Sequence, residues 1–265
     1  MDLIEVSCNE NRHPWELSRT TQLLHIVTAL CRKIRSADAD KSILIADIGA
    51  GDLYFDYCVL AEIRNIHITA VDMNFQSLDS PDARIRKTAD IRQLEDYQYD
   101  IIIMMDVLEH VADDAVFIKE IERKLKDADP RYLIITVPAF QHLFSTHDVF
   151  LKHYRRYEKS SLEKLIVSNV SLSISAIHYF YTSLYFIRLF QKIIRKIRGN
   201  QNVALKQSGI GTWKYSKTHI ITKLITLFLN GDYRLNRWAR KFGIIFPGLS
   251  LLAVLCGRKE AGHER

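Results

Sequence analysis

The segment spanning residues 42–54 constrains the fold of this 265-residue chain more than any other. It begins with a short apolar run, Ile43 to Ile48, whose length and β-branched content are typical of a buried parallel strand. Gly49 and Gly51 follow at once, and residues without a Cβ atom let the backbone turn sharply and approach a ligand closely. Asp52 can then cap a helix. This order of strand, glycine turn and helix predicts a nucleotide-type site at the carboxyl edge of a sheet.

The spacing of the glycines distinguishes between two kinds of nucleotide site. A dinucleotide fingerprint, Gly-x-Gly-x-x-Gly, needs its third glycine where Tyr54 stands, so an NAD-type oxidoreductase fits poorly. The segment instead resembles Asp-x-Gly-x-Gly-x-Gly, the first motif of class I S-adenosylmethionine (SAM)-dependent methyltransferases. Asp47, Gly49 and Gly51 match that motif, and Leu53 replaces its last glycine. A tight turn that merely needs glycine is the alternative, so the interpretation depends on motifs downstream.

Two further segments supply residues that the resemblance places around the adenosine half of SAM. Residues 66–72 predict a second strand that ends in Asp72, where a carboxylate can accept both ribose hydroxyls. Met73 follows and is expected against the adenine face. Asp90 and Ile91, after a weaker edge strand, match the place where the family puts an acid and an apolar residue beside adenine. Surface acids in turns are the alternative for both aspartates.

The most specific match follows the fourth predicted strand, residues 99–106. The sequence Asp-Val-Leu-Glu-His-Val, which begins at Asp106, closely resembles the signature after strand four in many small-molecule methyltransferases. That resemblance places Asp106 at the methionine end of SAM. Glu109 and His110 are predicted to start the next helix. His110 is a candidate general base, because an imidazole titrates near neutrality, or else a structural link to the N-terminal helix.

Histidines concentrate after the fifth predicted strand, in residues 140–157. Val-Pro-Ala, His-Asp and His-Tyr-Arg-Arg-Tyr in this region resemble motifs of one branch of class I methyltransferases. A histidine beside an aspartate in a partly apolar pocket can deprotonate a hydroxyl or an amine. His147 is therefore the first candidate base and His153 the second. Arg155 and Arg156 either bind an acidic acceptor or brace the loop.

The N-terminal region, residues 1–40, predicts a helical cap. Pro14 suits the first turn of a helix, and an apolar stripe at helical spacing follows. Trp15 and Arg19 lie on one face of that helix, where an aromatic ring and a guanidinium can cover a ligand and hold a carboxylate. Arg19 is therefore a predicted cofactor-binding residue, and simple packing on the sheet is the alternative.

The composition indicates which cellular compartment to expect and whether a metal site is predicted. The four cysteines are widely spread without a Cys-x-x-Cys pair, which favours reduced thiols in a cytoplasmic protein. The first residues lack the basic and apolar regions of a signal peptide, and no uncharged apolar run approaches roughly 18 residues, so we expect no membrane span. Histidines and acids show no clear ligand spacing, so no metal is predicted.

Positive charge is concentrated in residues 181–247, called here the basic insertion. This segment holds 13 Lys and Arg and one acid, a net +12, so the rest of the chain carries +6 − 12 = −6. A basic amphipathic helix is predicted over residues 185–198. After a glycine break at 209–211, two further helices are predicted over 220–228 and 232–242.

Three roles compete for the basic insertion. It can be a lid whose charges are solvated, it can contact an anionic membrane or admit a lipid-linked acceptor, or it can bind nucleic acid. Nucleic acid is disfavoured, because Asp-Val-Leu-Glu stands where a base-binding Asn-Pro-Pro-Tyr-type loop would be and no nucleic-acid module is recognised.

The resemblance covers about residues 40–180 plus the final strand and implies an α/β, Rossmann-like methyltransferase fold. We expect seven strands with the last antiparallel, a core over 41–180, the basic insertion over 181–247, and a final strand with a polar tail over 248–265. The implied reaction moves the SAM methyl group in line to a hydroxyl or amine of a small-molecule, glycan or lipid-linked acceptor, leaving S-adenosylhomocysteine. The alternative is a non-catalytic protein with a degenerate cofactor site that attaches to a membrane or partner through its basic helices.

Overall fold

The computed structural model describes residues 11–36, 38–197 and 213–257. Predictions for residues 1–10, for the glycine break and for the tail beyond 257 lie outside these ranges. The described strands form one sheet in the order β3-β2-β1-β4-β5-β7-β6. They are β1 (Ile43–Ile48), β2 (Ile66–Val71), β3 (Ile85–Thr88), β4 (Ile101–Met105), β5 (Tyr132–Pro138), β6 (Ser173–Phe180) and β7 (Ser250–Cys256).

Strand direction confirms the predicted fold class. Strands β1 to β5 run parallel to one another, whereas β7 runs antiparallel to both β5 and β6. The helices are α1 (Pro14–Ile34), α2 (Tyr54–Glu62), α3 (Asp114–Lys124), α4 (Thr146–Phe150), α5 (Lys159–Asn169), α6 (Thr182–Ile197) and α7 (Ile220–Arg240). This is the Rossmann-like sheet of class I methyltransferases, with α6 and α7 between the last two strands.

The core lies on both faces of the central strands. Every residue of β4 is buried, because helices cover the sheet on each side. Ile101, Ile103 and Met105 pack with α1 and α2, while Ile102 and Met104 pack with α3 and α5.

The strand order reverses between β1 and β4, and that reversal positions the site. Ile48 of β1 lies beside Met104 of β4, so the loops that follow both strands open side by side. In open α/β sheets, ligands bind in the crevice at this point. The loops after β2 and β5 flank the same carboxyl edge.

Local structure corrects three predictions. Residues Leu108–His110 form a single 3-10 turn, and α3 begins only at Asp114, where the Asp113 side chain accepts a hydrogen bond from Val116 N at 3.0 Å. The cap of α2 is Leu53 rather than Asp52.

The third correction concerns α7, where one helix replaces the predicted two. The Asn230 side chain accepts hydrogen bonds from Ser18 and Gln22 of α1, and Asp232 accepts from Ser183. These polar contacts keep the stretch around Gly231 helical although its local propensity is poor. No helix among the described residues combines the length and the apolar character that crossing a membrane would require.

Candidate cofactor and acceptor site

The loop after β1 uses left-handed backbone at three positions. Gly49 and Gly51 have φ angles of 75° and 61°, a region that favours residues without a Cβ atom. A Cβ atom on Gly49 would lie 2.7 Å from Cγ2 of Val107, so this glycine lets the loops after β1 and β4 touch. Leu53 also has a positive φ, 66°, which explains why the motif often has glycine there. Its buried side chain offsets a strain of about 1–2 kcal/mol.

Asp72 joins the end of β2 to the glycine loop. Its Oδ2 accepts a hydrogen bond from Gly51 N at 2.9 Å, and its Oδ1 accepts one from Asn74 N at 2.9 Å. Oδ1 also accepts a hydrogen bond from Asn74 Nδ2 at 3.1 Å, whereas Oδ2 has a second lone pair that can accept a hydroxyl donor. A Cβ-free cradle beside a fixed carboxylate fits the ribose of an adenosine-containing cofactor.

The two residues predicted beside adenine differ in their surroundings. The Met73 side chain is 84% exposed at the rim of the crevice. Asp90 caps a 3-10 turn and accepts a hydrogen bond from Arg92 Nη2 at 2.7 Å, so the guanidinium of Arg92 lowers the pKa of this carboxyl. Ile91 is half-buried against the core on the α3 face. Asp90 is thus engaged by its own turn, and its role at adenine remains a prediction.

Two buried carboxyls lie beneath the glycine loop. Burial raises the pKa of Asp47 to about 7, and burial followed by the charge of Asp47 raises the pKa of Asp56 well above its usual value. Asp56 belongs to the first turn of α2 and was not predicted from the sequence. Two neighbouring buried carboxyls do not both ionise, so we infer that the pair keeps a proton at neutral pH.

Arginines of the N-terminal region form ion pairs with the loops that follow β1 and β4, which are called here the cofactor edge. Arg12 is 2% exposed, forms ion pairs with Glu16 and Asp52, and lies 4.1 Å from the ring centroid of Tyr54. Sequence reasoning missed Arg12, although its spacing of four from Glu16 was a usable signal.

Arg19 holds a carboxylate of the chain itself, and its predicted binding of the cofactor remains a prediction. Its guanidinium pairs with Asp106 and lies 4.2 Å from the ring centroid of Trp15. Asp106 also accepts a hydrogen bond from Thr136 Oγ1 at 3.1 Å. Asp106 is therefore fixed from two sides at the end of β4, the place that the resemblance assigns to the methionine end of SAM.

The loop after β5, residues 139–157, is called here the histidine loop, and Asp148 organises it. The Asp148 carboxylate is fully buried, accepts hydrogen bonds from Ser145 N at 2.9 Å and Arg156 Nε at 2.7 Å, and pairs with His153 Nδ1 at 3.0 Å. These partners hold the pKa of this carboxyl well below its usual range, although burial alone would raise it. Arg155 forms an ion pair with Asp114 at 2.7 Å. Both arginines therefore brace the loop.

The three candidate bases sit on or beside this loop. The His110 ring packs edge-on against His153, with ring centroids 4.6 Å apart. His147 is half-buried, and burial followed by the positive charge of Arg188 lowers its pKa. Its imidazole is therefore neutral at physiological pH and able to accept a proton.

Helix α6 passes over the histidine loop. Lys192 donates a hydrogen bond to the backbone oxygen of His142, and the Tyr185 ring lies 5.0 Å from that of Phe140. Burial and the positive charge of Arg188 on α6 also lower the pKa of His13, to about 4. The basic insertion thus begins beside the candidate acceptor site.

Three solved structures share this fold at low identity. A chain of a Haloferax volcanii complex between a methyltransferase activator and a methyltransferase has a TM-score of 0.50 and 12% identity, with 93% of this chain and 96% of that chain covered. A Galdieria sulphuraria protein assigned as a sarcosine dimethylglycine methyltransferase has a TM-score of 0.50 and 12% identity, with 88% and 85% covered. Phosphoethanolamine N-methyltransferase 2 of Haemonchus contortus, solved with SAM, has a TM-score of 0.50 and 13% identity, with 88% of this chain and 52% of that chain covered.

The fold and the loops at its switch point are those of class I SAM-dependent methyltransferases. Residues 46–128, about a third of the chain, match the family model described as a methyltransferase domain, and the matched range contains the glycine loop, Asp72 and Asp106. No curated protein sequence matches the chain. The matched domain and the fold together support SAM-dependent methylation by this chain.

Proposed function

We propose that this methyltransferase modifies a hydroxyl or amine of a lipid-linked acceptor that it reaches at an anionic membrane surface. One observation carries the proposal: α6, α7 and the segment after α7 expose large apolar side chains beside basic ones. Soluble monomers rarely expose large contiguous apolar patches, and such patches mark interaction surfaces.

Helix α7 has one face anchored and one face exposed. Leu229, Tyr233 and Ala239 are buried against the body of the protein. The opposite face exposes apolar side chains at 57–66% of their surface, namely Leu224, Leu227, Phe228, Leu235 and Trp238. The segment after α7 continues this surface with Phe242, Ile244 and Ile245. A lid with solvated charges does not account for these exposed apolar residues.

Basic residues border the same surface. Lys223, Arg234, Arg237 and Lys241 are exposed along α7 and just after it. On α6, Phe190 is 63% exposed between the half-buried Arg188 and the exposed Lys192. Apolar side chains combined with lysine and arginine are typical of helices that lie in the interface of an anionic membrane.

The catalytic part of the proposal assigns the base. Bound SAM supplies a methyl group that its sulfonium already activates. The chain therefore has to align the acceptor and take its proton. We assign the role of general base to His147, because its lowered pKa keeps the imidazole neutral. The His153–Asp148 pair is the second candidate. The rim of α6 near His147 would lead an acceptor from the surface to the cofactor.

The experiment measures SAM and S-adenosylhomocysteine binding by calorimetry, and binding to phosphatidylglycerol-containing vesicles by sedimentation. We expect cofactor binding with or without vesicles, and vesicle binding only when the lipid is anionic. The triple variant R234Q/R237Q/K241Q should lose roughly 100-fold in vesicle affinity, because each base near the surface contributes about 1 kcal/mol.

The matched control removes the same charge elsewhere. Arg32, Lys119 and Lys164 are exposed on α1, α3 and α5, so R32Q/K119Q/K164Q should bind vesicles nearly as the wild type does. Equal losses in both triple variants would show only a net-charge effect. Cofactor binding without vesicle binding would contradict the membrane proposal and favour a small-molecule or glycan acceptor, with the basic insertion as a lid.

A further inference from the structure

Three potential metal ligands converge beside the end of β4. Glu109 and His110 belong to the 3-10 turn after β4, and His153 follows α4 on the histidine loop. One ligand atom from each residue lies within 4.8 Å of the other two. Two imidazoles and one carboxylate form a common ligand set for divalent transition metals, with coordination positions left open.

The Glu109 carboxylate is the strongest indication of a bound cation. Its side chain is fully buried, and neither carboxylate oxygen has a hydrogen-bond partner among the described residues. A buried polar group without a partner costs free energy that a coordinated cation would recover. The buried acid therefore has a physical reason to lie beside two histidines.

The orientation of His153 supports the same interpretation. Its Nδ1 pairs with Oδ1 of Asp148 at 3.0 Å, and Asp148 is itself held by Ser145 and Arg156. A carboxylate on one ring nitrogen fixes the imidazole and directs the other nitrogen, Nε2, to a metal. Metal-binding histidines almost always have such a partner.

We propose that Glu109, His110 and His153 bind one divalent transition-metal ion, such as Zn²⁺ or Mn²⁺, beside the methionine end of the cofactor site. Two ligands about 2.1 Å from an ion in tetrahedral geometry lie about 3.4 Å apart, so atoms as far apart as 4.8 Å need to approach by about 1.4 Å when the ion binds. The site lies three residues beyond Asp106, and its open positions can take water or an acceptor oxygen. His153 then acts as a ligand, which leaves His147 as the base.

The linear sequence conceals this site, because His153 is 43 positions beyond His110 (153 − 110). Only the packing of the histidine loop against the loop after β4 brings the ligands together. The spacing of ligands along the chain predicts no metal, because that spacing does not reveal this cluster.

The test is a metal titration of the full chain after removal of metal with a chelator. Zn²⁺ is titrated in competition with a chromophoric chelator, and Co²⁺ is followed by its visible absorption. We expect one ion per chain in the wild type, and binding about 100-fold or more weaker in E109Q and H153A. D148N should cost about 10–100-fold, because it loosens the orientation of a ligand. The control variant H142A alters a histidine of the same loop outside the cluster and should bind metal normally.

Failure of this proposal is separable from failure of the proposed function. Calorimetry with SAM is run on the same samples, so that cofactor binding and metal binding are measured separately. Absence of stoichiometric Zn²⁺ and Co²⁺ binding in the wild type would overturn the proposal, as would wild-type affinity in E109Q. If circular dichroism shows that E109Q does not fold, H153A decides, because His153 lies on a loop rather than in the core.

Discussion

The cofactor edge and the basic insertion use charge in opposite ways. At the cofactor edge, Arg12 and Arg19 are almost completely buried, and each is paired with a carboxylate of a loop. Along α7, Arg234 and Arg237 are exposed beside apolar side chains that are exposed as well. Buried pairs fix loops in one position and are sensitive to the loss of either partner. Exposed bases contribute little to folding and remain available to an external surface.

The largest expected effect concerns the buried pairs. Arg12→Ala leaves Glu16 buried without its cation, which should lower the free energy of unfolding by about 3–5 kcal/mol. Urea denaturation followed by circular dichroism measures this loss. The double variant R12L/E16L should recover much of it, because the buried Glu16 is also removed and only the partly exposed Asp52 is left without its cation. A loss under 1 kcal/mol for Arg12→Ala would mean that the pair does not hold α1 to the glycine loop.

The second largest effect should follow from removal of the Asp72 carboxylate, the proposed hydrogen-bond acceptor for the ribose hydroxyls. Asp72→Ala removes both the proposed contact to the ribose hydroxyls and the hydrogen bond that holds Gly51 N, so SAM affinity should fall about 100-fold. Calorimetry with SAM measures the change. Asp90→Ala is the comparison, because that carboxylate is already engaged by Arg92 and its loss should cost far less. An unchanged affinity in Asp72→Ala would remove Asp72 from the site.

The stability of the packing between β6 and α7 should depend on pH. His178 of β6 is buried beneath α7, and its ring nitrogens have no hydrogen-bond partner among the described residues. Burial lowers the pKa of His178 to about 3. Because the unfolded chain takes up this proton near pH 6.5 and the folded chain does not, stability is full above that pH. It should then fall by about 1.4 kcal/mol per pH unit below it.

His178→Phe should flatten this dependence between pH 6.5 and pH 4.5. The comparison is the difference in melting temperature between variant and wild type at each pH, which cancels the titration of other groups. An identical slope in both proteins would exclude His178 as the source of acid sensitivity.

The smallest effect on folding should come from the exposed surface of the basic insertion. Trp238 is 57% exposed, so Trp238→Ser should change the free energy of unfolding by less than about 0.5 kcal/mol. Its affinity for anionic vesicles should nevertheless fall several-fold, because an aromatic anchor is lost. A destabilised protein with unchanged vesicle binding would reverse the contrast between the two regions.

Local patterns were sufficient to predict the sheet and much of the cofactor edge. The apolar runs of β1, β4 and β5 identify buried strands without knowledge of their partners. Gly49 and Gly51 indicate a turn, because glycine is the residue that adopts positive φ angles most easily. Both patterns lie within short runs of consecutive residues, so a single sequence is enough to predict these strands and this turn.

Features that depend on distant partners escaped prediction. The ion pair between Arg12 and Asp52 and the pairing of Asp148 with His153 need the folded loops to bring their members together. The continuity of α7 through Gly231 depends on polar contacts of Asn230 with α1, which override local propensity. No periodicity within a window of ten or twenty residues contains this information.

The position of β7 has a consequence for synthesis. This strand fills the gap between β5 and β6 and pairs with both, yet it begins at Ser250, 112 positions after Pro138 ends β5 (250 − 138). At about 5–20 residues per second, a ribosome needs roughly 6–20 s to cover that distance. Throughout that interval β5 has an open, apolar edge, which is the kind of surface that chaperones bind and that aggregates grow from. The sheet of the nascent chain can therefore close only after the whole basic insertion has been synthesised.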